Sequence, residues 1–180
     1  WFNDEAYLTK GNLVKWNPAI KTENDRLALL EAMNKGLIDV IATDHAPHTL
    51  TEKSGPYTKA ASGGPMIQHS LSVMLEMAEQ RATTFEKVVD GMCHAPAQLF
   101  GIENRGFLRE GYKADICIFR KAPWTVNKEN IQYQCGWSPL EGQTLTYQVQ
   151  TTLVNGHIVY NKGLFTSEKH GELLTFNHIL

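Results

Sequence analysis

The sequence predicts an α/β fold in two parts, with helix and strand–loop–helix elements over residues 1–105 and a small antiparallel β element over 106–180. Three observations predict it. A short, nearly continuous apolar run, Ile38 to Thr43, lies between a helical pattern and a long loop. Helical spacing of apolar residues recurs on both sides of that loop. Beyond Gly106 the pattern shifts to short β-prone runs punctuated by Gly106, Gly111, Gly136, Gly142, Gly156 and Gly163.

Thr22 to Lys35 reads as the first helix. Thr22 can cap it, Asp25 sits near the positive helix start, and Leu27, Leu30, Met33 and Leu37 follow at helical spacing. Gly36 ends it in the left-handed conformation that glycine adopts cheaply. Ile38 to Thr43 (Ile-Asp-Val-Ile-Ala-Thr) then has the character of a strand buried on both faces, as in a parallel sheet. The loop from Asp44 to Gly64 is of a length that is usually functional or disordered, and Pro47, Gly55-Pro56 and Gly63-Gly64 break it. Pro65 is placed to open a second helix with Ile67, Leu71, Met74, Leu75 and Ala78 on one face. Thr84 to Met92 and Pro96 to Phe100 read as two shorter helices, with His94-Ala95-Pro96 as a capping neighbourhood between them. In the second part, Ala114 to Arg120, Thr144 to Val154 and His157 to Tyr160 read as strands. Asn155-Gly156 is a strong hairpin signal.

A strand followed by a loop and a helix is the unit that builds sites in α/β barrels, where active residues sit at the carboxyl ends of strands. A full (β/α)8 TIM-type barrel takes about 250 residues, so this chain supplies at most its last one or two βα units. The 180 residues carry 17 Lys+Arg against 19 Asp+Glu, a net charge of -2. That balance argues against nucleic acid or a membrane surface as partner. No apolar run approaches the roughly 18 residues needed to span a bilayer. Cys93, Cys117 and Cys135 form no C-x-x-C pair, so the expected compartment is the reducing cytoplasm.

Asp44-His45-Ala46-Pro47-His48, directly after the apolar run, is the segment richest in chemistry. A carboxylate at a strand's end can ligate a cation, take a proton from water, or both. His48, four residues on, can reach the same mouth. The bland alternative is that Asp44 caps the turn and both histidines bond backbone carbonyls. Asn17 before Pro18 is likewise a common turn residue, and Ser62-Gly63-Gly64 could serve only as a hinge.

Thr43-Asp44-His45-Ala46-Pro47-His48 with Glu52-Lys53 resembles the T-D-H-A-P-H…E-K signature of dihydroorotases in the amidohydrolase superfamily. Lys15-Trp16-Asn17-Pro18-Ala19 resembles that family's K-x-N-P-P segment. Ala114 to Phe119 and Leu153 to Gly156 resemble strands of the small β-sandwich domain that flanks the barrel. The resemblance implies that Asp44 ligates zinc and shuttles a proton. It also implies that Asn17 and His48 contact dihydroorotate, and that the backbone of Ser62 and Gly63 bonds its ring.

Two zinc ions are expected in the complete enzyme, with most of their ligands outside this chain. There is no H-x-H here, and His69, His94, His157, His170 and His178 lack ligand spacing. Ala19 and Lys21 replace the family's second proline and its arginine. Gln68 and His69 read as helix-surface or core residues. The implied whole is the C-terminal portion of a dihydroorotase, inactive alone, with the N-terminal portion of the same enzyme as its partner and a homodimer allowed. Two other readings stand beside it: a related allantoinase or hydantoinase, and a non-catalytic dihydroorotase-like scaffold able to partner a transcarbamoylase.

Overall fold

In a computed structural model, residues 1–177 are described, and His178 lies outside them. A short helix α1 (Ala6–Lys10) and a 3₁₀ turn (Gly11–Val14) precede α2 (Glu23–Asn34). Helix α2 starts as its sequence dictates. Thr22 Oγ1 accepts from the Asp25 amide while the Asp25 carboxylate accepts from the Thr22 amide at 3.0 Å, closing a capping box. Gly36, at φ 72, turns the chain out of the helix.

Ile38 to Thr43 departs from expectation. It belongs to no sheet, Ile38 is 37% exposed, and Asp39 and Ala42 are exposed as well. A doubly buried strand needs hydrogen-bonded neighbours on both edges, and the described residues supply none. What holds the run is the Ile41 amide, which donates to the Gly91 carbonyl at 2.8 Å. The Ile41 side chain lies where a Cβ on Gly91 would come within 2.8 Å of Ile41 Cδ1.

The helix expected from Pro65 begins later, as α3 (Ser70–Glu79). The intervening amides have side-chain acceptors instead: Met66 donates to His45 Nδ1 at 3.1 Å and Gln68 to the Tyr133 hydroxyl at 3.0 Å. Every residue from Ser72 to Ala78 is buried, so α3 has no exposed stripe. It stands between two cores. One gathers Met74, Leu75, Met77, Ala78 and Val88; the other gathers Val73, Val126, Leu140 and Leu145.

Helix α4 (Phe85–Val89), a π segment (Asp90–His94) and α5 (Ala95–Leu99) form one uninterrupted helical run. His94-Ala95-Pro96 therefore lies inside the run rather than capping two helices. The widened π turn accommodates Pro96, which has no N–H to donate and whose ring crowds the carbonyl four residues back.

The second part is a four-stranded antiparallel sheet in the order β1 (Ile116–Thr125), β2 (Thr144–Val154), β3 (His157–Asn161), β4 (Leu164–Phe165). Asn155 and Gly156, at φ 50 and 83, form the β2–β3 turn, since a two-residue hairpin of this type needs left-handed backbone at both positions. The Glu76 carboxylate of α3 fastens the sheet by accepting from the Thr146 amide at 2.7 Å. The β1–β2 connection, residues 126–143, folds back over the first part and buries Val126, Trp137 and Leu140. No helix among the described residues is long and apolar enough to cross a membrane.

Candidate functional site

Three stretches far apart in sequence meet beside the Ile38–Thr43 run: Lys15–Asn17, Asp44–Lys53 and Ala61–Gly64. Backbone bonds set their register. The Gly63 amide donates to the Lys15 carbonyl at 2.9 Å, and the Ala46 amide to the Gly64 carbonyl at 3.1 Å. His45 and Gly64 form a parallel bridge. Glycine is required at the crossing. A Cβ on Gly63, at φ 129, would stand 2.5 Å from Ala46 Cβ, and one on Gly64 would stand 2.4 Å from Trp16 Nε1. Ser62-Gly63-Gly64 is thus a packed crossing and not a hinge.

Asp44 is exposed, sits in the left-handed region at φ 44, and makes no hydrogen bond among the described residues. It therefore does not cap the turn. Positive φ is uncommon for a non-glycine residue, and aspartate is among those that tolerate it best. His48 lies across the crossing with Nε2 3.1 Å from the Ser62 carbonyl oxygen and Nδ1 3.9 Å from the Glu52 carboxylate. The bond to a backbone carbonyl is the bland reading of that histidine, and it also fixes the ring over Ser62. Ser62 is exposed. Gly63 is half-buried, with its amide bound to Lys15 and its carbonyl to Lys53 Nζ at 2.7 Å. Asn17 is exposed beyond Lys15, its side chain unbonded among the described residues. The fold thus joins His48, Ser62 and Gly63 directly, Asn17 through Lys15, and Asp44 through the Ala46–Gly64 pairing. Glu52 Oε2 accepts from the Thr49 amide and hydroxyl, both at 2.8 Å, and these bonds hold its carboxyl below the usual range.

A supporting layer from the β1–β2 connection is not legible in the sequence. Trp137 Nε1 donates to the His48 carbonyl at 2.8 Å. Gln68 pins the same connection by donating to Asn130 O and accepting from the Gln132 amide, both at 2.8 Å. Trp137→Phe keeps the apolar ring and removes the donor. The expected cost is about 1 kcal/mol in denaturant unfolding, because a buried carbonyl loses its partner.

His69 is fully buried, in the core as its sequence context suggested. His69 Nδ1 lies 3.1 Å from the Tyr133 hydroxyl and 3.2 Å from the Ser138 hydroxyl, oxygens that also accept from the Gln68 and Leu140 amides. Its Nε2 has no hydrogen-bond partner among the described residues. Burial pulls its pKa from 6.5 to about 4. The folded ring stays neutral where the unfolded one takes up a proton. Stability from this group is therefore complete above pH 6.5, and about 3 kcal/mol of it is lost as the pH falls to about 4. Unfolding free energy measured against pH should show that slope, and His69→Phe should remove it.

Zinc is the cofactor the resemblance implies. Among the described residues, no three His, Cys, Asp or Glu side chains cluster to hold a metal. A zinc site takes three or four protein ligands, so Asp44 alone does not fit one.

A sequence profile described as the amidohydrolase family matches residues 10–159. The dihydroorotase of Clostridium acetobutylicum is 36% identical over 159 residues, covering 87% of this chain and 37% of that protein. The dihydroorotase of Pyrococcus furiosus is 34% identical, over 91% of this chain and 38% of its own length. The allantoinase of Bacillus velezensis is also 34% identical, over 90% of this chain and 36% of its own. Among solved structures, the L-hydantoinase (dihydropyrimidinase) of Arthrobacter aurescens aligns with TM-score 0.90 at 27% identity, over 97% of this chain and 40% of that one. The chain therefore spans under two fifths of the curated relatives it matches, such as the 37% and 38% of the two dihydroorotases. With the profile running from α1 through the β2–β3 hairpin, and the Asp44–His48 segment inside it, the chain belongs to the amidohydrolase family.

Proposed function

We propose that this chain is the C-terminal portion of a dihydroorotase, comprising barrel residues 1–105 and β-sandwich residues 106–180, which reversibly hydrolyses dihydroorotate to N-carbamoyl-aspartate in pyrimidine synthesis. One observation carries the reading. The Asp44 carboxylate has no hydrogen-bond partner among the described residues and stands at a left-handed turn, beside a crossing that presents His48 and Ser62.

In the forward direction, water adds its oxygen to the ring amide carbonyl carbon. Asp44 takes the proton that leaves the water and returns it to the ring nitrogen as the C–N bond breaks. A carboxylate suits this work because it is ionised at neutral pH and lies within reach of both proton positions when the ring is held beside it. In this reading His48 and Asn17 hold the ring with their side chains. Ser62 offers an amide without a partner among the described residues, while both polar groups of Gly63 already have protein partners. Zinc dependence belongs to this reading, but the described residues lack the ligand set, so the proton path is assigned to Asp44 alone.

The 34% identity to an allantoinase supports a second reading, in which the ring is allantoin. The test is hydrolysis of dihydroorotate, allantoin and hydantoin by the complete gene product. We expect kcat/KM for dihydroorotate to exceed the others by about 100-fold, because a site built to bond particular ring substituents rejects rings lacking them. Preference for allantoin or hydantoin would reassign the substrate. A well-folded product inactive on all three would support the scaffold reading.

A further inference from the structure

Lys53 is 2% exposed, and no carboxylate pairs with it among the described residues. A buried cation without a counter-ion is costly and needs a compensating arrangement. Here the compensation is three backbone carbonyls. Lys53 Nζ donates to Lys15 O at 3.0 Å, Ala61 O at 2.9 Å and Gly63 O at 2.7 Å. Its three N–H groups match three acceptors, and the Trp137 ring lies 5.9 Å away. These carbonyls come from the two arms that carry Asn17 and Ser62-Gly63. Glu52 caps the turn that presents the lysine, whose own amide donates to the Thr49 carbonyl at 3.0 Å. Glu52 and Lys53 are therefore a cap and an anchor under the loop.

We propose that Lys53 is a positioning residue whose ammonium locks the Lys15–Asn17 arm to the Ala61–Gly63 arm, setting the spacing at which the two grip one side of a cyclic amide ring. This rests on the functional reading above for the identity of the ligand, but not for the lock itself. Methionine, neutral and one heavy atom shorter, fills most of the space and cannot donate. Burial, and after it the Lys15 charge, pulls the Lys53 pKa down to about 8, so the ammonium keeps all three donors at neutral pH.

The experiment compares Lys53→Met and Lys53→Arg with the parent, using the complete gene product at pH 7. Amide hydrogen exchange at Ala61 and Gly63 is expected to speed up about tenfold or more in Lys53→Met, with α3 exchange unchanged. In turnover, KM for the ring should rise about tenfold while kcat stays within about threefold, because ground-state grip is lost and Asp44 is untouched. Lys53→Arg keeps the cation with splayed donors and should recover part of the KM. A structural role alone would lower stability without that split between KM and kcat.

Parental exchange at Ala61 and Gly63 in a folded Lys53→Met protein overturns the lock. Accelerated exchange with parental KM overturns its role in binding. If the parent hydrolyses no ring, the functional reading fails while the exchange data still decide the lock. Should Lys53→Met not fold, Lys53→Gln, neutral and too short to reach all three carbonyls, is the deciding variant, and parental exchange with parental KM in that protein would refute the proposal.

Discussion

Asp44→Asn in the complete gene product is expected to lower turnover of the cyclic amide by a factor of about 10² to 10⁴, the usual contribution of a positioned proton-transfer group. Stability should change by no more than about 0.5 kcal/mol, because the side chain is exposed and bonds nothing among the described residues. Asparagine is chosen for a backbone reason. Asp44 sits at φ 44, a region that Asn visits almost as readily as Asp and that Ala avoids at a cost of about 1 kcal/mol. Asp44→Ala should therefore lose activity and some stability together, while Asp44→Asn separates the two. Parallel measurement of kcat and urea unfolding for both variants checks this. An Asp44→Asn enzyme with near-parental turnover would remove the proton transfer assigned to that carboxylate.

Gly63→Ala is expected to destabilise the protein by about 3 kcal/mol, from two additive causes. At φ 129 the backbone is in a region reserved for glycine, and the new Cβ would stand 2.5 Å from Ala46 Cβ. The second cause can be removed separately. Ala46→Gly deletes the atom that is struck, so the double variant should recover roughly half of the loss in a double-mutant cycle of thermal unfolding. The recovery should be incomplete, because the dihedral cost stays. A Gly63→Ala protein as stable as the parent would mean that the three stretches do not cross as closely as described. The amide of Gly63 would then be free for a ligand rather than bound to Lys15.

Some of this was legible along the chain. The capping box at Thr22 and Asp25 and the Asn155-Gly156 hairpin are encoded within three or four residues, where side chain and turn chemistry act directly on neighbouring backbone. The Asp44–His48 segment was legible for a similar reason, since the chemistry of adjacent residues can be read without knowing what lies across from them. The helix predicted from Pro65 starts only at Ser70, because distant acceptors, His45 and Tyr133, take amides that local propensity assigns to a helix. Ile38–Thr43 is no strand although its pattern predicts one, because an apolar run reports only that a segment wants burial. Partners on both edges decide whether it becomes a strand.

By itself the sequence determined the class of fold, the hairpin, the first long helix and the residues that carry the amidohydrolase resemblance. The tertiary structure alone decided that Trp137, 89 residues from His48, bonds its carbonyl, and that one buried lysine ties two arms of the site together. The physical reason is range. Caps and turns are settled by bonds a few residues long, which leave a pattern in the chain. A donor meeting an acceptor across the fold leaves none, because any residue the packing brings near can supply it.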